Sequence, residues 1–429
     1  MRWPLIAVLA LAAGSVPGEA PAAPPAGDGA YAREVLAELV AVDTSPAHGT
    51  TAAAEAMAQR FRRAGIEDVT VVGDAADRKN VVARFHGSGK KRPILLVAHL
   101  DVVDASGDDW ATDPFTLTEK DGFLYGRGSL DDKGMAAIWV ATLARMKREG
   151  VVPARDVIVA LTADEEEGDD NGVEWLIEHR RELVDAELAL NEGGGGEIIG
   201  GKRAINEVQI DEKIEQAYVL EASSHGGLSA EPGAENAIVA LATAVARVSA
   251  MRHPLRTTWL TRAYFARAAD AEQGALSADL RTLATRAESD PGAAARVTKA
   301  RPWYGSLLRT TCTATQIEGG FAPGALPTHA HATLDCRILP GEKPADLEAE
   351  ITRLVGDAGV TVTPQHRSDP AQGSPPRADV MRAVEQITRA MWPGATVAPT
   401  MLHGATDGRH LRRAGIPTYG VSGIFVDLD

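Results

Sequence analysis

Apolar positions follow two alternating spacings along the first half of the chain. From Tyr31 to Val42, and again from Thr51 to Ala64, they recur at the period of an amphipathic helix, and Gly65 stops the second run. Between and after these lie short runs of β character. Asn80 to Phe85 and Ile94 to Ala98 read as strands, the second apolar enough to be buried on both faces. Gly134 to Glu149 reads as a helix, and Asp156 to Thr162 and Glu187 to Leu190 as further strands. Strand and helix in alternation predict an α/β domain, a mainly parallel sheet covered by helices, with ligand sites beyond the carboxyl ends of the strands.

After Lys213 the pattern changes. Glu215 to Ala222 resembles an exposed strand, and Asn236 to Val248 an Ala/Val-rich helix. Residues 256–303 are polar and helix-prone, and no chemistry attaches to them. Thr311 to Glu318 and His331 to Leu339 form a strand pair, followed by a helix from Ala345 to Val355 and a strand from Val360 to Pro364. The order β-α-β-β-α-β predicts a small α+β sheet domain inserted into the first. Arg377 to Ala390 and Leu411 to Val421 then resume the earlier pattern. The expected organisation is a leader over 1–27, one domain from 28–213 and 368–429, and an inserted domain over 214–367. Cys312 and Cys336 stand at similar distances from the loop of the strand pair, so they are candidate cross-strand neighbours, and an oxidising compartment permits a disulfide between them.

A chain of 429 residues exceeds the usual size of a single core, consistent with two domains. Its net charge of −15, with no offsetting run of Lys or Arg, argues against nucleic acid as a partner. Arg2, the apolar run from Leu5 to Ala13, and the small residues Gly18 and Ala20 have the form of a secretory signal. That run is too short to span a bilayer, and no cysteine follows it to carry lipid. The expectation is a soluble exported protein, secreted or periplasmic, with Pro21 to Gly27 as a flexible lead-in.

Candidate chemistry sits where strands end. His99 follows the Ile94 strand, Asp164-Glu165-Glu166-Glu167 follows the Asp156 strand, and Glu192 follows the Glu187 strand, so three unconnected stretches meet at one sheet edge. Asp101 lies two residues beyond His99 and points the same way in an extended segment, so it can hold one ring nitrogen while the other faces a metal. Asp131 and Asp132, in G-R-G-S-L-D-D-K-G, precede a helix, where a capping role alone would account for them. A run of carboxylates in a turn is ordinarily solvated, but gathering these beside His99 and Asp131 in a cleft is costly unless a cation is bound. Oxygen donors with one imidazole and no thiolate suit zinc, or manganese or cobalt. Two such ions about 3.5–4 Å apart, bridged by a carboxylate and a water, are suited to hydrolysis.

In that order, H-L-D, G-R-G-S-L-D-D-K-G, T-A-D-E-E-E-G and L-N-E-G-G resemble the metal motifs of the M20 metallopeptidases, which include glutamate carboxypeptidase, aminoacylase and related dipeptidases. The resemblance extends from about Tyr31 to the end of the sequence. It implies two Zn²⁺ ions per subunit: His99, Asp131 and Glu192 hold one, and Asp131 bridges to a second held by Glu166. It further implies Glu165 as general base and Asp101 as the group that orients His99; Asp132 is not carried over. His225, in S-S-H-G-G-L-S, matches the family's lid histidine, which stabilises the oxyanion and often reaches a metal site of the partner subunit. Arg337, in L-D-C-R, matches an arginine that binds the substrate carboxylate. The implied activity is zinc-dependent exopeptidase hydrolysis of a peptide or N-acyl amino acid, without membrane or nucleic acid, in a homodimer formed through the inserted domain.

Two departures qualify the match. Gly324-Ala325-Leu326-Pro327 stands where the family commonly has Asn in N-x-[IVL]-P, so a lid amide that contacts substrate is expected to be missing. The family's last zinc ligand is a histidine beyond the T-D-x-R motif. Thr406-Asp407-Gly408-Arg409 is present, but the sequence stops at Asp429, and His403 and His410 match the wrong positions to replace that ligand. The expectation is a shortened chain with a weak second metal site, low activity and uncovered apolar surface around Ile424-Phe425-Val426. The competing expectation is a metal- or peptide-binding protein of the same fold that has lost turnover.

Overall fold

The computed structural model describes residues 26–166, 171–230, 235–286, 290–366, 368 and 370–427. Most of the expected leader, and Glu167 of the acidic run, lie outside the described residues. In chain order the strands are β1 (Val69–Val72), β2 (Asn80–Phe85), β3 (Ile94–His99), β4 (Thr118–Lys120), β5 (Phe123–Tyr125) and β6 (Val157–Thr162). There follow β7 (Leu188–Asn191), β8 (Gly196–Ile199), β9 (Lys202–Glu212), β10 (Ile214–Ser223), β11 (Gly227–Leu228) and β12 (Thr311–Gly319). The last are β13 (Ala325–Leu326), β14 (His329–Ile338), β15 (Val360–Pro364), β16 (Thr396–Leu402), β17 (Thr418–Gly420) and β18 (Phe425–Asp427).

The chain divides into two compact units. One comprises residues up to Ile210 with Gly373–Thr400 and the segment from Thr406; the other comprises Asp211–Gln372 and Met401–Ala405. Against the expected boundaries, the second unit begins three residues earlier and ends five later, and it also takes in 401–405. The last point has a local cause: Lys213 donates its backbone N–H to the Leu402 carbonyl at 3.0 Å, and His403 stacks on Trp303 with ring centroids 3.3 Å apart.

The first unit is α/β. Its sheet runs β1-β2-β6-β3-β7-β17-β9-β8-β18, with β16 also paired to β9. The centre of the sheet, β6-β3-β7-β17, is parallel, and antiparallel strands flank it. Every residue of β3 and β6 is buried, as their unbroken apolar sequences require. The helix Lys133–Arg148 covers this centre, and its Trp139 indole N–H donates to the Val97 carbonyl at 3.1 Å. Phe425 is also buried: β18 pairs with β8, and Trp392 meets the Phe425 ring edge-on at 4.7 Å. The expectation of an uncovered Ile424-Phe425-Val426 therefore needs correction. Of the three, Val426 alone is exposed and Ile424 is half-buried.

The second unit holds an antiparallel sheet in the order β12-β14-β10-β15. The strand read as exposed is its interior strand β10. Ile214, Gln216, Tyr218, Leu220 and Ala222 alternate inwards and pack with the helices Ala237–Ala250 and Pro344–Val355. Its solvent-facing alternates, such as Glu215 and Glu221, give the sequence its exposed character. Cys312 and Cys336 are directly opposite in the β12–β14 register and form a disulfide. Residues 256–303 are built largely of helices, Trp259–Ala271, Gly274–Arg286 and Pro291–Ala300, with a short turn of helix at Pro302–Ser306.

Candidate metal centre

The chemistry-bearing residues of the first unit all leave the same edge of its sheet. His99 ends β3, Glu165 follows β6, Glu192 follows β7, and Asp131 lies just before the helix Lys133–Arg148. Gly193 has φ of +97°, and a Cβ there would come within 1.9 Å of Gln209 Oε1. The glycines after Glu192 therefore let that loop turn tightly against β9.

Ligand atoms of His99, Asp131 and Glu192 all lie within 4.8 Å of one another, close enough for one ion. His99 Nε2 is 2.8 Å from Asp131 Oδ1, and His99 Nδ1 faces the Asp101 carbonyl at 3.1 Å and its carboxylate at 3.5 Å. Asp101 is thus placed behind the ring, where it fixes the ring orientation. Its Oδ2 accepts the backbone N–H of Glu166 at 2.9 Å. Glu166 is not part of the converging trio, but its carboxyl is near enough to Asp131 for their repulsion, added to burial, to raise its pKa.

The electrostatics of this set favour a bound positive charge. Burial, together with neighbouring carboxylates, pushes Glu165 and Glu192 well above the usual carboxylate range. Glu165 feels Glu192 and Asp407; Glu192 feels Asp132, Asp131 and Asp407. Burial works against a charged His99, yet its hydrogen bonds to Asp101 and Asp131 hold its pKa well above the ordinary value. Asp132 Oδ2 is buried with no hydrogen-bond partner among the described residues. A divalent cation satisfies such a set, and one imidazole with several carboxylates is the donor chemistry that zinc, manganese and cobalt accept.

Two acidic residues at this site were not assigned roles from the sequence. Asp407 is fully buried, takes the Thr162 hydroxyl at 3.0 Å and the Asn171 amide at 2.6 Å, and lies near enough to Glu165 and Glu192 to help raise their pKa values. Its T-D-x-R setting is visible in the sequence; its partners, 245 and 236 positions away, are not. Asp132, set aside earlier, is buried beside Asp131, and the peptide bond between them is cis. Neither spare histidine belongs to the trio. His403 is held by Ser306 and Trp303, and His410 accepts from Arg409 Nε at 3.1 Å. Burial pushes both down to about 3, aided by Lys213 for His403 and by Arg409 and Arg413 for His410.

In the second unit His225 is almost fully exposed, 3.2 Å from Glu235. Arg337 is bound by Glu215 through two N–H groups at 2.8 and 3.1 Å and by Asp335 at 3.1 Å.

A family model described as peptidase family M20/M25/M40 matches residues 95–427. The chain belongs to this peptidase family. It is 28% identical over 331 residues to a probable carboxypeptidase S-like 2 of Dictyostelium discoideum, a match covering 74% of this chain and 62% of that protein. It is 27% identical over 337 residues to the human N-fatty-acyl-amino acid synthase/hydrolase PM20D1, covering 74% and 64%. The chain thus spans a little under two thirds of the length of these relatives. Among solved structures, the M20 family metallo-carboxypeptidase Sso-CP2 of Sulfolobus solfataricus superposes with a TM-score of 0.71 at 17% identity, covering 91% of this chain and 90% of that one. Human carnosine dipeptidase 1 gives 0.64 at 15%, covering 94% and 92%. Fold and family are those of metallopeptidase-type hydrolases.

Proposed function

We propose that this M20 chain is a zinc-dependent hydrolase that cuts the amide bond of an N-acyl amino acid or a small peptide next to its free carboxylate. The observation that carries this reading is the convergence of His99, Asp131 and Glu192 beside the half-buried Glu165. The names of relatives that act on N-fatty-acyl amino acids favour the acyl substrate. His99, Asp131 and Glu192 would hold one ion, and Asp131 with Glu166 a second; Co²⁺ or Mn²⁺ would be accepted in place of zinc. When bound, such ions polarise the substrate carbonyl and lower the pKa of water.

The chain's own residues supply the rest. Glu165 accepts the proton of the attacking water and delivers it to the leaving amine. Asp101 holds the His99 ring in place. His225 donates to the developing oxyanion, reaching the reaction from a second subunit or after a closure of the lid. Arg337 binds the substrate carboxylate with the two N–H groups that Glu215 and Asp335 leave free, those partners fixing the guanidinium plane. Dimerisation through the second unit is supported by Ile317, Phe321 and Val239, all exposed there. Export is supported by the disulfide.

A second reading, a binding protein with lost turnover, draws on the second ion's shell: among the described residues it holds two carboxylates and no imidazole. Metal analysis combined with hydrolysis of a panel of N-acyl amino acids and dipeptides separates the two. Bound zinc with release of free amino acid supports the hydrolase. Bound zinc with no turnover on any member supports the binding protein.

A further inference from the structure

The helical stretch of the second unit has no part in the metal chemistry, yet it lines an open cavity of about 560 Å³. Its walls are the end of the helix Ala237–Ala250, the helices Pro291–Ala300 and Pro302–Ser306, and the start of the edge strand β12. That volume is typical of small-molecule sites. The lining includes Arg252, His253, Lys299 and Arg309 and not one carboxylate, in a chain whose net charge is −15.

Of these, Arg252 and Lys299 are exposed and Arg309 is half-buried. Among the described residues, no carboxylate pairs with Arg252, Lys299 or Arg309; Arg252 donates only to the backbone carbonyls of Ser249 and Met251, at 3.1 and 3.0 Å. The His253 side chain is 8% exposed, and its Nε2 is buried with no hydrogen-bond partner among the described residues. Glu350, 4.0 Å from His253 Nδ1, does not line the cavity. Helix dipoles account for Lys299 in a last turn and Arg252 just past a helix end, but not for Arg309 on the connection to β12; a nearby acid, Glu342, is taken up by the Thr310 hydroxyl and by Arg256. Val248, Met251 and Pro302 give the same cavity an apolar wall, and Ser249 and Thr313 add hydroxyls.

We propose that this cavity binds a small organic anion, a carboxylate or phosphate monoester carrying a short apolar tail, with Arg252, Lys299 and Arg309 as its counter-charges. The tail packs against Val248, Met251 and Pro302 while the head takes the cations. Every group involved belongs to the second unit, so the site is independent of the metal ligands.

Octanoate and octyl phosphate are suitable probes, titrated calorimetrically into the full metal-loaded chain and into a double variant, Arg309→Ala with Lys299→Ala. Carboxylates also bind metal centres, so the decisive quantity is the difference between the two proteins. The expected result is saturable binding of at least one probe, weakened about tenfold or more in the double variant and weakened by added salt. The preferred probe identifies the head group. The unfolding transition and the hydrolysis of a small substrate are expected to be unchanged in the variant. Ser249→Trp, which fills the cavity without touching a charge, should weaken binding in the same way. Absence of saturable binding, or affinity undiminished in both variants, overturns the proposal.

Discussion

Glu166 donates its backbone N–H to Asp101 Oδ2 at 2.9 Å, while the same carboxylate faces His99 Nδ1 at 3.5 Å. One side chain thus ties the acidic loop after β6 to the imidazole at the end of β3. The bonds from His99 and from the backbone N–H groups of Glu166 and Glu165 outweigh burial and keep Asp101 below the usual carboxylate range, so it is ionised where it is needed. Asp101→Ala should lower zinc affinity about 10- to 100-fold, as loss of an outer partner of a metal-binding histidine does. Competition against a chelator measures this, and an unchanged affinity would remove Asp101 from the orienting role.

Glu165→Gln tests the division of labour between two adjacent glutamates. The amide keeps the shape of the side chain but cannot carry the proton. Bound zinc should stay at the unaltered level while kcat drops by about 10² to 10⁴. Loss of zinc along with activity would mean that Glu165, not Glu166, is the ligand.

His225 is so exposed that its removal should leave the unfolding temperature unaffected. His225→Ala is expected to lower kcat by about 10² or more through loss of an oxyanion donor, with metal content intact. A variant that turns over at the original rate would sink the assignment.

Lys213 is buried, its ammonium donating to the Arg309 carbonyl at 2.8 Å, and burial lowers its pKa from 10.5 to about 8. Between those two values the unfolded chain binds more protons than the folded one, so stability rises with pH across that window. Lys133 has a pKa of about 8 for the same reason and contributes in the same sense. Lys213→Met should flatten the rise by about 1–3 kcal/mol between pH 8 and 10.5. Denaturant unfolding at several pH values checks this; parallel curves for the two proteins would show that Lys213 is not held below its free value.

The parallel centre of the first sheet was legible because β3 and β6 are almost wholly apolar runs, and outside it β2 and β15 coincide with the expected strands residue for residue. β9 was not. Its buried residues include Asn206, Glu207 and Gln209, so it lacks the hydropathy by which a strand is recognised, and its polar groups are satisfied only in the fold: the Asn206 amide, for instance, donates to the Thr388 hydroxyl at 2.8 Å. The metal trio was legible because each member follows a readable strand or precedes a readable helix. Asp407 could be seen but not interpreted, since its place depends on the distant residues Thr162 and Asn171.

The strand order of the first sheet also sets a timetable for each molecule as it is made. β17, residues 418–420, is seated between β7 and β9, and Asp407 likewise is made after every strand of the second unit's sheet. The second unit's four-stranded sheet, by contrast, is complete once residue 364 has been added. A growing chain can therefore finish the inserted sheet while the larger one still has a gap at its middle and its candidate metal centre lacks the neighbouring Asp407. The carboxylate field around His99, Asp131 and Glu192 is thus complete only when Asp407 arrives, more than two hundred residues after the last of the three.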